Sequence, residues 1–297
     1  MKRVMPKLLL FMLMPGMAFA HGGVNDASNS VEGSMLVTGL IAVNPDGSVY
    51  GYSLDDRDKL PTAVVNLINE TVPQWKFEPV KLNGKAVLAK ALMSLRVVAR
   101  RNASGQYEAS VAGANFARDT AQSLKSPECA NGACLQPVER KSPAYPIELL
   151  REQVSGTVYV VLKVNRAGHV EDAAIRQIDL RKIGDETQLN RWRLALARAS
   201  LAAVPDWKFI IPTTGDEANE NAWVVIVPIN YFLAGVTPPL KYGQWYAYVP
   251  GPVQDIPWAE DETNRTASNG SSDAIPDNGV AFLPDTRFVL LTPPSPG

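Results

Sequence analysis

The chain has 297 residues, 46% of them hydrophobic and 20% charged. These are ordinary globular values, enough for two modest domains and out of keeping with a wholly disordered or polytopic membrane chain. A formal net charge of -1, with no Lys/Arg stripe interleaved with aromatics, argues against nucleic acid as a partner, and two histidines with two cysteines leave little from which to assemble a His/Cys catalytic or metal centre.

In chain order, residues 1–20 read as a cleavable secretory signal: Met1 to Arg3 give a positive start, residues 8–17 an apolar run, and Ala18-Phe19-Ala20 a small-x-small site. The apolar run falls short of the roughly 20 residues of a spanning helix, and Pro15-Gly16 interrupts it. No cysteine follows at once to accept a lipid, so the expectation is soluble export with His21 as the first mature residue. An N-terminal histidine can chelate copper, as in oxidative polysaccharide-cleaving enzymes. That chemistry wants a second histidine, and His169 in a predicted hairpin turn is the sole candidate, so the copper reading is remote.

An internal repeat organises the rest. Val72-Pro73-Gln74-Trp75-Lys76-Phe77 returns as Val204-Pro205-Asp206-Trp207-Lys208-Phe209 with one position changed. Upstream of each copy lies an apolar, β-branched run ending in Val-Asn, two loop residues and a glycine: Val43-Asn44-Pro45-Asp46-Gly47 and Val164-Asn165-Arg166-Ala167-Gly168. Apolar runs at 86–99 and 223–233 follow. Strand, turn, strand, helix, strand is thus written twice.

Leu60, Val64, Leu67, Ile68 and Val72 stripe the first predicted helix, with Asp58 as a candidate start residue; Leu189, Trp192, Leu196, Ala199 and Ala203 stripe the second. Pro73 and Pro205 end them. The rings of Trp75, Phe77, Trp207 and Phe209 are expected under the sheets rather than on a ligand. Between the copies, Cys129-Ala-Asn-Gly-Ala-Cys134 reads as a local disulfide in an oxidising compartment, worth about 2 kcal/mol at most for so short a loop. After Pro238 prolines punctuate a tail that is expected to be largely irregular, with aromatics Tyr242, Trp245, Tyr246, Tyr248 and Trp258 laid over the body. No phosphate-cradling loop, metalloprotease helix or serine nucleophile elbow is present, so the expectation is a non-enzymatic chain without a cofactor.

The second copy resembles the TonB carboxy-terminal domain family. The resemblance rests on Pro143-Ala144-Tyr145-Pro146, Gly156-Thr157-Val158, the Val164 to Val170 turn with Gly168, Trp207-Lys208-Phe209 and Val227-Pro228-Ile229. Asn165 replaces the family's usual Asp, and Pro212 arrives one residue late. The likeness covers about 142–234, with a degenerate relative at about 33–100. It implies an α+β fold of two small domains, each an antiparallel sheet of about three strands with a packed helix. The boundaries are 31–112 and 142–235, joined by a linker at 113–141 and followed by a tail at 236–297.

The resemblance also implies a Gram-negative periplasmic module that binds a partner by strand addition to its last strand, around Val225, Val227 and Ile229. TonB energy transducers carry an uncleaved membrane helix and a long Pro/Lys/Glu-rich spacer, and this sequence shows neither. The preferred expectation is therefore an adaptor for periplasmic or outer-membrane protein segments, a TonB-dependent receptor among them; TonB-dependent transport is the alternative. A dimer through exposed strand edges is compatible with either.

Overall fold

The structure, a computed structural model, describes residues 31–82, 84–102, 104–117, 131–132, 135–236, 238–259, 272–276 and 288–295. The signal segment, His21, Cys129 and Cys134 lie outside them. The protein is a mixed α+β fold of antiparallel sheets and, among the described residues, two α-helices, neither long and apolar enough to cross a membrane.

The chain runs β1 (Glu32–Val43), β2 (Val49–Leu54), α1 (Thr62–Thr71), a short pair β3 (Lys81–Leu82) and β4 (Lys85–Ala86), β5 (Ala89–Arg101) and β6 (Tyr107–Ala117). It continues through β7 (Gln136–Glu139), β8 (Gly156–Asn165), β9 (Val170–Leu180), α2 (Glu186–Ala203), β10 (Lys208–Ile210), β11 (Ala222–Tyr231) and β12 (Tyr246–Tyr248). The first sheet is ordered β12-β1-β5-β6, with β2 also on β1; the second is β11-β8-β9. The first sheet therefore has five strands where about three were expected, because β6 and the tail strand β12 both join it.

The local reasons are legible. Asn44 and Asn165 each accept the glycine N–H three residues on, at 2.9 Å in both cases, closing two equivalent turns. Gly47 and Gly168 sit at φ +81° and +76°, and a Cβ on either would lie 2.0 or 2.1 Å from the carbonyl oxygen of Phe77 or Phe209. Only glycine fits such a place. Those glycine carbonyls in turn accept the Phe77 and Phe209 N–H groups at 2.8 Å. α2 begins on a capping box, with Asp185 accepting from the Gln188 N–H at 2.8 Å and Gln188 returning to the Asp185 N–H at 3.0 Å. α1 has no such cap: Asp58 lies in the preceding 3-10 turn, and Pro61 precedes the helix.

Each sheet packs one face on its own helix. Leu189, Trp192 and Leu196 of α2 are buried with Val158, Val160, Val225 and Val227, while Val64, Val65 and Ile68 of α1 are buried with Met35, Val37, Met93 and Leu95. Trp75, Phe77, Trp207 and Phe209 are all buried in these cores. The opposite faces meet across the tail. Ile256, Ala259 and Ile275 pack with Tyr159, Val161 and Ile226 of the second sheet and with Leu92 of the first.

The tail also closes sheet borders. Glu32 to Ser34 pair with β12, and Val249 exchanges hydrogen bonds with Leu180 of β9 at 2.8 and 3.1 Å. The last described segment pairs Leu290 with Phe77, and Phe288 is fully buried against Phe77 and Phe116.

Candidate functional site

Two places concentrate chemistry. The first is a buried polar knot between the sheets. The Arg96 guanidinium on β5 donates to the Asp273 carbonyl, to Ser34 Oγ at 3.0 Å and to the Tyr246 hydroxyl, while the Tyr248 hydroxyl donates to the Asp273 carboxylate. Asp179 Oδ1 on β9 accepts from the Gly251 N–H and Gln177 Nε2, both at 2.9 Å, and its Oδ2 is buried without a hydrogen bond. Burial, reinforced by the Asp273 charge, pushes the Asp179 carboxyl well above the usual range; burial raises Asp273 too, against the pull of Arg96. The cavity here is about 10 Å³, room for one water molecule at most. The knot joins parts of the fold and has no space for a larger ligand.

The second place is the border of the second sheet. Strand β11 pairs with β8 over its whole length, from Ala222 opposite Asn165 to Tyr231 opposite Gly156. Among the described residues it has no strand on its other side. The β9 border of the same sheet is covered by the tail through Val249, Gly251 and Gln254. Beside β11 runs a groove of about 480 Å³, within the range that takes ligands. Ser142, Pro143 and Tyr145 form one wall, Trp207 and Arg140 the base, and β11 from Val227 to Tyr231, with Phe232 just beyond it, the other wall.

Each wall is held rigidly. The Tyr145 hydroxyl donates to the Val154 carbonyl at 2.6 Å, and its ring lies 6.3 Å from that of Tyr231. Burial raises the Tyr145 hydroxyl, partly offset by that bond. Pro146 is buried and opens a 3-10 turn at Ile147–Leu149. Trp207 Nε1 donates to the Lys141 carbonyl at 2.9 Å, which ties the groove base to the opposite wall. The Arg140 guanidinium lies 5.9 Å from the centre of the Trp207 ring, and burial lowers its basicity. Gly156, at the foot of β8, has no room for a side chain: a Cβ would stand 2.4 Å from the Asp179 carbonyl oxygen. Pro228, which has no N–H to give to a ladder, sits on the border strand, where proline is tolerated.

The sequence-predicted contact residues need correction. Val225, Val227 and Ile229 are not surface readers: Val225 and Val227 are 0% exposed and Ile229 7%, all within the core against α2. Alternation along β11 does not tell the outer face from the inner, because the tail covers the other face and buries Ile226 as well. What β11 offers outward is its backbone edge and the flanking groove. Ser142, Arg140 and Phe232 were missed; a Ser-Pro pair ahead of the Tyr-Pro motif and a phenylalanine beyond the last strand were their only signals. His169 lies in the exposed hairpin turn, its N–H on Asn165 Oδ1 at 3.1 Å. No protein-family model, curated protein or solved structure matches the chain.

Proposed function

We propose that this is a non-enzymatic periplasmic binding protein, two TonB carboxy-terminal-like units joined by their tail, which takes up an extended segment of a partner along β11. The observation that carries the reading is the β11 border, along which no described strand runs, beside the 480 Å³ groove, when the other border of that sheet is covered by the chain itself. A border strand presents a row of N–H and C=O groups that one more strand can satisfy. Support for the duplication comes from register. Met35 to Val43 oppose Val97 to Ala89 just as Gly156 to Val164 oppose Tyr231 to Trp223, residue for residue. The leader-like residues 1–20 support export.

A photo-crosslinking residue at Phe232, which is 60% exposed on the groove wall, tests this in periplasmic and outer-membrane extracts of the source cell. Adducts should form there and not from Arg191, on the outer face of α2. Outer-membrane receptors among the adducts would favour TonB-dependent transport, and soluble proteins an adaptor role. Equal adducts from both positions, or none from Phe232, would refute the reading.

A further inference from the structure

The register that relates the two sheets also bears on the occupant of the groove. In the first sheet the counterpart of β11 is β5: Met93, Leu95 and Val97 stand opposite Gly39, Val37 and Met35, as Val227, Ile229 and Tyr231 stand opposite Val160, Val158 and Gly156. The outer side of β5 is already occupied. Strand β6 lies antiparallel along it, with Phe116 opposite Met93, Ala114 opposite Leu95 and Val111 opposite Val97.

Among the contacts outside the ladder that hold β6 are an aromatic cluster and a serine clasp. The Phe116 ring stands edge-on to Trp75, centroids 6.0 Å apart at 87°, and to Phe77 at 5.0 Å and 78°. The Ser295 hydroxyl accepts the Val111 N–H at 2.8 Å and donates to the Val111 carbonyl at 3.1 Å, clasping the strand's backbone.

Both holding groups recur in the second half. Trp207 is the repeat partner of Trp75. The segment that carries Ser295 pairs Leu290 with Phe77 and offers the Pro294 carbonyl to Trp75 Nε1; the β7 segment pairs Pro137 with Phe209 and offers the Lys141 carbonyl to Trp207 Nε1. One residue beyond each carbonyl stands a serine, Ser295 in the first case and Ser142 in the second. Ser142 and Trp207 both line the groove. The second half thus keeps the edge, the aromatic base and the serine, and among the described residues has no counterpart of β6.

We infer that the groove takes an extended partner segment running antiparallel to β11 in the pattern of β6: an aromatic residue opposite Val227, a small one opposite Ile229 and a branched apolar one opposite Tyr231. The Ser142 hydroxyl clasps its backbone, and the aromatic ring packs on Trp207, where the Arg140 guanidinium already lies 5.9 Å from the indole centre. This rests on the strand-addition reading above and specifies its occupant. The internal strand β6 is the template, so the partner is identified by alternation and one ring rather than by charge.

The probe is a labelled synthetic peptide of residues 107–117 (YEASVAGANFA), titrated by fluorescence anisotropy into the full chain. Expected results are saturable binding, a dissociation constant about tenfold weaker for the Phe116→Ala peptide, and loss of binding in a Ser142→Trp protein, which fills the groove from an exposed position. Binding that survives Ser142→Trp would place the peptide elsewhere and overturn the inference. Equal binding of the Phe116→Ala and scrambled peptides, all blocked by Ser142→Trp, would leave strand addition standing and refute the aromatic rule. No peptide binding despite partner adducts at Phe232 would do the same. If light scattering shows a dimer that Ser142→Trp dissociates, the occupant is a second copy, and a partner segment is ruled out.

Discussion

Truncating Phe288 to alanine should destabilise the amino-terminal half of the molecule, more than 170 residues away in sequence from the strands it supports. Its ring is fully buried, 6.2 Å from Phe77 and 6.3 Å from Phe116, and the adjoining backbone pairs with the Trp75 to Glu78 segment. Removing a buried phenylalanine ring costs about 3–5 kcal/mol in transfer and cavity terms, a large share of the roughly 5–15 kcal/mol that holds a folded protein together. Urea denaturation followed by tryptophan fluorescence should show a lower midpoint. Native-state hydrogen exchange should show β5 and β6 losing protection before β8 and β11. Leu291→Ala is the control: that side chain is 59% exposed, and its loss should stay within about 0.5 kcal/mol. A Phe288→Ala midpoint no lower than that of Leu291→Ala would mean that the last segment merely lies on the first half and does not complete it.

Other outcomes follow from the knot and the turns. Because burial and Asp273 raise Asp179 above its ordinary 3.8, the folded protein holds that proton more tightly than the unfolded chain. Stability is therefore greatest at or below the ordinary carboxylate range and falls as pH rises from there towards the folded-state value. Asp179→Asn should flatten that fall and raise the urea midpoint at neutral pH, with Asp273 leaving a shallower slope of the same sign; a pH profile identical to the parent protein's would refute the assignment. Gly168→Ala forces a Cβ to 2.1 Å from a carbonyl at φ +76° and should cost more than the strain alone, about 1–3 kcal/mol. At Gly235 (φ +77°), with nothing within 4 Å, the same change should cost only the strain, and equal losses in thermal melts would contradict the steric account. Trp207→Phe removes the donor to Lys141 and should weaken capture of the 107–117 peptide more than it lowers the melting temperature; the reverse ranking would make Trp207 a core residue alone.

What could be read from the chain was local. The Val-Asn-x-x-Gly turns, the three- and four-residue stripe of α2 and the breaks at Pro73 and Pro205 all act within a dozen residues, and each appears where its chemistry places it. What escaped were pairings between remote segments. Trp75 meets Pro294, 219 residues on, and Thr38 meets Tyr242, 204 residues on. Neither segment carries a pattern that names its partner. A proline-punctuated tail looks irregular because it forms few repeating hydrogen bonds, yet Tyr248, Val249 and Ile256 are each at most 3% exposed. Arg96 is a further signal overlooked: a lone cation inside the apolar run of β5 must find acceptors, and it finds them at Ser34 of β1 and at Asp273 and Tyr246 of the tail.

The two halves differ chiefly in where the chain goes after its third strand. Beyond Arg101 it turns at once, the Gly105 N–H donating to the Asn102 carbonyl at 2.9 Å, and returns as β6 along the edge it has just left. A hairpin closed by so short a loop has a high effective concentration, so no separate peptide can compete with β6 for β5. Beyond Tyr231 the chain instead departs to the first half, where the Tyr242 hydroxyl meets the Thr38 backbone at 3.3 Å. Its later turns cover the β9 border and the back of the second sheet. Among the described residues, the tail thus secures the β9 border and the back of the second sheet and places no strand on the β11 border. The chain supplies its own fourth strand in one half; in the other, no described strand takes that place beside the equivalent tryptophan, Trp207, and Ser142. On the strand-addition reading, the residues that would hold a partner segment are already in place, Tyr145 anchored at Val154 and Trp207 at Lys141.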